Sequence, residues 1–129
     1  MSIVVNAKHD KITQGAWVEF GGSKFLVCHS SNLKFQRTFA RLQQPHRSKI
    51  EKGTLDPAIS KEIVCKAFSQ ALILNWEDVV DTEGSDVPFT AESAYEALTN
   101  NPDLVEYIQE VSNNLAYYKS EELEALGKN

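Results

Sequence analysis

The longest apolar stretch of the chain runs from Pro57 to Trp76, PAISKEIVCKAFSQALILNW. Wound at about 100° per residue, it gathers Ile63, Val64, Ala67, Phe68, Ala71, Leu72 and Leu74 on one arc. Glu62, Lys66, Ser69 and Gln70 take the other side. Asp56 followed by Pro57 is a helix start. The carboxylate accepts from a free N–H of the first turn, and proline fits the first helical position, where its missing N–H goes unused. The pattern predicts a core helix over 57–76 with the other amphipathic helices packed around it. Ile73 breaks that pattern by falling among the polar positions. Either the helix loosens before Ile73, or this side chain meets another element or another chain.

Upstream, Ala16–Phe20 and Lys24–Cys28 are β-rich runs around Gly21-Gly22-Ser23, which predicts a hairpin. Trp17, Phe25 and Val27 are the candidates for the face that meets the helices. A two-stranded hairpin is not stable alone and needs a helical layer. Before it, residues 1–14 carry one short apolar patch, Ile3-Val4-Val5, and read as either a loose arm or a short edge strand. After it, Ser30-Ser31-Asn32 offers a cap for a helix with two opposed stripes. Phe35, Phe39 and Leu42 form the apolar one; Lys34, Arg37 and Arg41 form the basic one. Pro45 disfavours helix at Gln44. A restarted segment over 46–52 adds Arg47, Lys49 and Lys52, and Gly53-Thr54 ends it.

Downstream of Trp76 the periodicity shortens. Glu77–Asp81 and Val87–Phe89 read as two short strands around the acidic turn Thr82–Asp86, with Pro88 at an edge. Thr90 caps a short helix whose Ala91, Ala94, Tyr95 and Leu98 share a face. Asn101-Pro102 repeats the start signal, and Leu104, Ile108, Val111, Leu115 and Tyr118 then recur at 4, 3, 4, 3 spacing, a narrow packing seam. Residues 119–129 are acidic and read as a frayed tail. The expected architecture is a single domain over 1–129, mainly α with small β-hairpins (α+β).

Composition places the chain among ordinary soluble domains: 129 residues, 42% hydrophobic, 24% charged, mean hydropathy −0.34. No apolar run approaches the roughly 20 residues that span a bilayer, and the start lacks the features of a signal peptide. A cytoplasmic location is therefore expected. Cys28 and Cys65, the only cysteines, sit beside apolar neighbours and read as two buried thiols. The net charge of −5 hides a split. Residues 1–54 hold nine Lys/Arg against three Asp/Glu, a balance of +6, and residues 55–129 hold four against fifteen, a balance of −11. A chain polarised in this way can pair its own halves, stack on copies of itself, or offer two partners different surfaces. Merely different solvated faces would look the same.

No catalytic constellation emerges. His9, His29 and His46 have no ligand spacing with the cysteines. The phosphate-binding glycine loop, the G-x-S-x-G elbow and the H-E-x-x-H pair are all missing from the sequence. Asp78, Asp81, Glu83 and Asp86 crowd one turn without the spacing of a calcium-binding loop. No cofactor and no enzymatic activity are expected. The basic stripe is a plausible phosphate-contacting set, but the chain is acidic (pI about 5.2) and no aromatic side chains interleave with the stripe, so nucleic acid is a weak match.

Several segments carry a family resemblance through their order: W-V-E-F-G-G-S-K-F-L-V, then N-L-K-F-Q-R-T-F-A-R-L, P-H-R-S-K-I-E-K-G-T-L-D, A-L-I-L-N-W-E-D-V-V-D, V-P-F-T-A-E-S-A-Y-E-A-L and P-D-L-V-E-Y-I. The most characteristic piece is Leu74–Asp81 followed by Val87-Pro88-Phe89-Thr90. From Trp17 to Tyr118 the chain resembles the tail assembly chaperones of long-tailed, siphovirus-type bacteriophages. The resemblance implies a mainly helical, non-enzymatic protein of the host cell cytoplasm. Such a protein binds the tape measure protein, keeps it soluble, helps recruit tail tube subunits, and is absent from the finished virion. Families of this kind often make a longer product by a backward ribosomal slip near the end of the gene, and that longer form is then the expected contact for the tail tube protein. Gly127-Lys128 is the candidate frameshift position, and Gly127 is equally a helix C-cap. Lys34, Arg37, Arg41 and the anomalous Ile73 are the candidate partner-binding residues, with self-association a further expectation. Two other readings stay open: a small nucleic-acid-binding regulator using the basic helix face, and a structural tail or connector component.

Overall fold

A computed structural model describes residues 2–119 of the chain. It is an α+β fold in which helices cover one face of a three-stranded antiparallel sheet. After a one-turn helix α1 (Lys11–Gln14), strands β1 (Ala16–Phe20) and β2 (Ser23–Val27) form the hairpin. Gly21 and Gly22 both have positive φ, 59° and 83°, as a two-residue turn requires if the strands are to keep their right-handed twist. The turn fixes the register: Val18 faces Phe25 and Ala16 faces Val27, and these point into the core. Trp17 pairs with Leu26 on the opposite face and is 47% exposed. The expectation that Trp17 meets the helices is thus corrected. With a period of two, placing Val18 inward places Trp17 outward.

The central segment also differs from the predicted single helix over 57–76. An α-helix, α4, spans Pro57–Ala67, with the Asp56 carboxylate accepting from the Ala58 N–H at 2.9 Å. A π-helical turn follows over Phe68–Leu72, and Ile73–Glu77 is strand β3, antiparallel to β2. The Leu72 carbonyl, released from the helical ladder, accepts from the Cys28 N–H at 2.8 Å just past the end of β2. Ile73 is 2% exposed, in the core. Its apparent misplacement on a helical wheel marks the change from helical to strand period, and a role as a surface contact is corrected. Trp76 anchors the strand. Its ring packs edge-on against Phe25 and Phe89, and its indole N–H donates to the Val87 carbonyl at 2.7 Å.

The two acidic strands expected after Trp76 reduce to a tight loop closed by one bridge, Val80 to Asp86, with the Val87 N–H donating to the Val79 carbonyl. Helix α2 (Leu33–Gln43) starts at Asn32, whose side chain accepts from the Lys34 N–H. Its apolar side stacks Phe35 on Phe39 and on Phe68 of the π turn. The chain stays helical at Gln44, contrary to the expectation from Pro45: a 3-10 turn over Gln44–His46 joins α2 to α3 (Arg47–Glu51). Helix α5 (Ala91–Asn100) has a full capping box between Thr90 and Ser93, and buries Ala94 and Leu98, while Ala91 is exposed.

Helix α6 (Pro102–Ser112) buries Leu104, Ile108 and Val111. Asn101 does not cap it; its side-chain amide donates to the Ala97 carbonyl instead. The predicted seam ends there. Leu115 is exposed, and Tyr118 returns to the core through a 3-10 turn over Leu115–Tyr118 begun by the Asn114 side chain. At the other end, Ile3 and Val5 are fully exposed and residues 2–10 form no strand. Gly127 and Lys128 lie outside the described residues. Both cysteines are free and buried. No helix among the described residues is long and apolar enough to cross a membrane.

Candidate partner-binding surface

Helix α2 rests on α4 and the π turn through its phenylalanines, so its other side faces solvent. Lys34, Arg37 and Arg41 all lie on that exposed side, as their 3, 4 spacing requires. Arg41 leans over the π turn, and its guanidinium donates to the Gln70 Oε1 at 3.1 Å. None of the three makes an ion pair among the described residues. The two pairs there are both within single helices, Arg47–Glu51 at 3.5 Å and Lys66–Glu62 at 2.7 Å. Arg47, Lys49 and Lys52 extend the positive surface beyond Pro45. The structure therefore brings together the basic residues singled out in the sequence, and removes Ile73 from the set.

Beyond Gln70 lies a feature that sequence reasoning missed. An open cleft of about 510 Å³ separates the outer side of α4 and the π turn from α5. Ser69, Gln70, Tyr95 and the stem of Lys66 line it, and Glu92 and Glu96 stand on its far wall. The signal was present: Glu92 and Glu96 are four apart on the polar side of the helix that Thr90 caps. The cleft itself was not legible, because it depends on how α5 docks against the π turn. A second recess of about 220 Å³ opens between Phe35, Phe39, Val64 and Phe68 and the end of α6.

The titratable groups of this region are structural in character. Burial pushes the Cys28 and Cys65 thiols up, away from the reactive thiolate form, and burial lowers the basicity of His29. The Lys66 hydrogen bond holds the Glu62 carboxyl below its ordinary value. In the acidic loop, Asp81 spends one carboxylate oxygen on the N–H groups of Glu83 and Ser85, at 2.9 and 3.0 Å, so this carboxylate organises a turn. No group of three or more metal-ligating side chains occurs among the described residues. What the surface offers is a row of exposed cations and an open cleft with an acidic wall.

Among known proteins, the profile of the YdaY prophage protein family matches residues 30–129. This span takes in the basic stripe, the cleft and its acidic wall. No curated protein and no solved structure matches the chain.

Proposed function

The chain belongs to the YdaY prophage protein family and is phage-derived, and from that premise we propose that it is a tail assembly chaperone. In this reading it is a non-enzymatic protein of the host cell cytoplasm. It binds the tape measure protein, keeps it soluble while the tail is built, and helps bring tail tube subunits to it through a longer, frameshifted form. It then leaves before the virion is complete. The observation that carries the reading is the stripe of Lys34, Arg37 and Arg41: three exposed cations on one helix, in no ion pair among the described residues, with Arg41 reaching Gln70 at the edge of an open cleft. The order of segments from Trp17 to Tyr118 that resembles tail assembly chaperones supports the choice of partner. A tape measure is a long helical chain whose apolar surface is uncovered until a tube surrounds it, and small copies bound along it would keep that surface from collapsing.

The test is co-expression with the tape measure protein of the same phage. Soluble tape measure recovered in a pull-down with the wild-type chain, and lost with R37E/R41E, is the expected result. Insoluble tape measure with and without the chain would overturn the reading. Two further outcomes would redirect it. Duplex DNA or RNA binding that falls steeply with salt would point to a nucleic-acid regulator, and the chain's presence in purified particles would point to a structural tail component.

A further inference from the structure

The outer side of the helical layer carries exposed charges of both signs. The π turn packs against both α2 and α5. Helix α2 presents Arg37 and Arg41 as one charged rim, and Arg41 reaches Gln70 at the edge of the cleft, whose α5 wall carries Glu92 and Glu96 as the other rim. Each charged pair has i, i+4 spacing, a separation of about 6 Å along its helix. All four side chains are exposed, and none of them forms an ion pair among the described residues. Arg41 ends its reach on the neutral Gln70 at 3.1 Å.

We infer that this face binds a second copy of the chain through a two-fold axis over the cleft. A half-turn about that axis lays the arginine rim of each copy on the glutamate rim of the other, so the same match is made twice. Placing like rim on like would set arginine against arginine and glutamate against glutamate, so charge also excludes the wrong orientation. The cleft supplies the space into which Tyr95 and the neighbouring side chains of the two copies settle. The contact does not rest on the function proposed above, although both use Arg37 and Arg41. Exposed ion pairs are individually weak and screened by salt, so the dimer is expected at high protein concentration and low ionic strength.

The experiment is sedimentation velocity on the full chain across a concentration series at low and high salt. Circular dichroism verifies that each variant is folded. The wild type is expected to shift from 14.5 kDa toward twice that mass as concentration rises, and to return to the monomer in salt. R37E/R41E, whose rims are both acidic, and E92K/E96K, whose rims are both basic, are each expected to weaken dimerisation by about tenfold or more. Mixing these two variants restores a 1:1 pair, and combining all four reversals in one chain restores the homodimer. A wild type that stays at 14.5 kDa at the highest concentration and lowest salt overturns the inference. So does a dimer indifferent to both reversals, a failure of the mixture to pair, or growth past the dimer into open chains.

Discussion

Tyr118 ties the end of the described chain to the segment just after β2. It is fully buried, its ring meets His29 edge-on, and its hydroxyl donates to the Cys28 carbonyl at 2.9 Å across 90 positions of sequence. Tyr118→Phe keeps the ring and strands that carbonyl, which should cost about 1–2 kcal/mol in urea unfolding. Burial, reinforced by the nearby Cys28, raises the pKa of Tyr118 above its ordinary value of 10.0. The folded protein therefore holds this proton where the unfolded chain has released it. The stabilising effect is complete below pH 10 and is lost as pH climbs above it. The stability gap between wild type and Tyr118→Phe should accordingly hold constant through neutral pH and shrink under strongly alkaline conditions. A gap that stayed constant there would mean that the ionised phenolate is tolerated in the core as well as in the unfolded chain.

Elements, by contrast, were legible wherever a local chemical signal fixed them. Asp56-Pro57, Asn32 and Thr90 each begin a helix where the sequence placed one, and Gly21-Gly22 makes the hairpin turn. Because the Asp56 cap acts on the backbone of α4 itself, Asp56→Ala should cost about 1 kcal/mol with no change in the m-value. Replacement by asparagine should recover most of it.

The sequence offered a loosening of the helix before Ile73, which the structure bears out, but the strand that follows and the choices of face escaped it. Ala-Leu-Ile-Leu satisfies a buried helix and a buried strand equally well. Only the tertiary bond from Cys28 to Leu72 and the pairing of β3 with β2 decide in favour of the strand. Trp17 looked like a core residue by size, yet register with Phe25 and Val27 assigns the inward face to Val18 and Ala16. The basic stripe was fully legible, since it follows from helical spacing alone. Its acidic counterpart across the cleft was not, because no local rule places α5 beside the π turn.

At the scale of the molecule, the positive first part contributes the Arg37–Arg41 rim on α2 and the negative remainder the Glu92–Glu96 rim on α5, on two helices that both pack against the π turn. That arrangement links the two proposals. If Arg37 and Arg41 serve both the second copy and the helical client, each copy can do only one at a time. The dimer then acts as a reserve, and client binding draws on the free monomer alone. Monomer grows only as the square root of total protein once dimer dominates. Titration of a labelled tape measure fragment with wild type, followed by fluorescence anisotropy, should therefore give a curve shallower than a simple hyperbola. E92K/E96K keeps the arginine rim and loses the dimer, so its curve should be hyperbolic and lie to the left of wild type at high concentration, the two converging on dilution. R37E/R41E should bind neither partner. Parallel curves for wild type and E92K/E96K at every concentration would show that client and second copy use separate surfaces. Weaker client binding by E92K/E96K would show instead that the glutamate rim itself contacts the client. The sign of that one difference separates a reserve that competes with the client from a face that receives it whole.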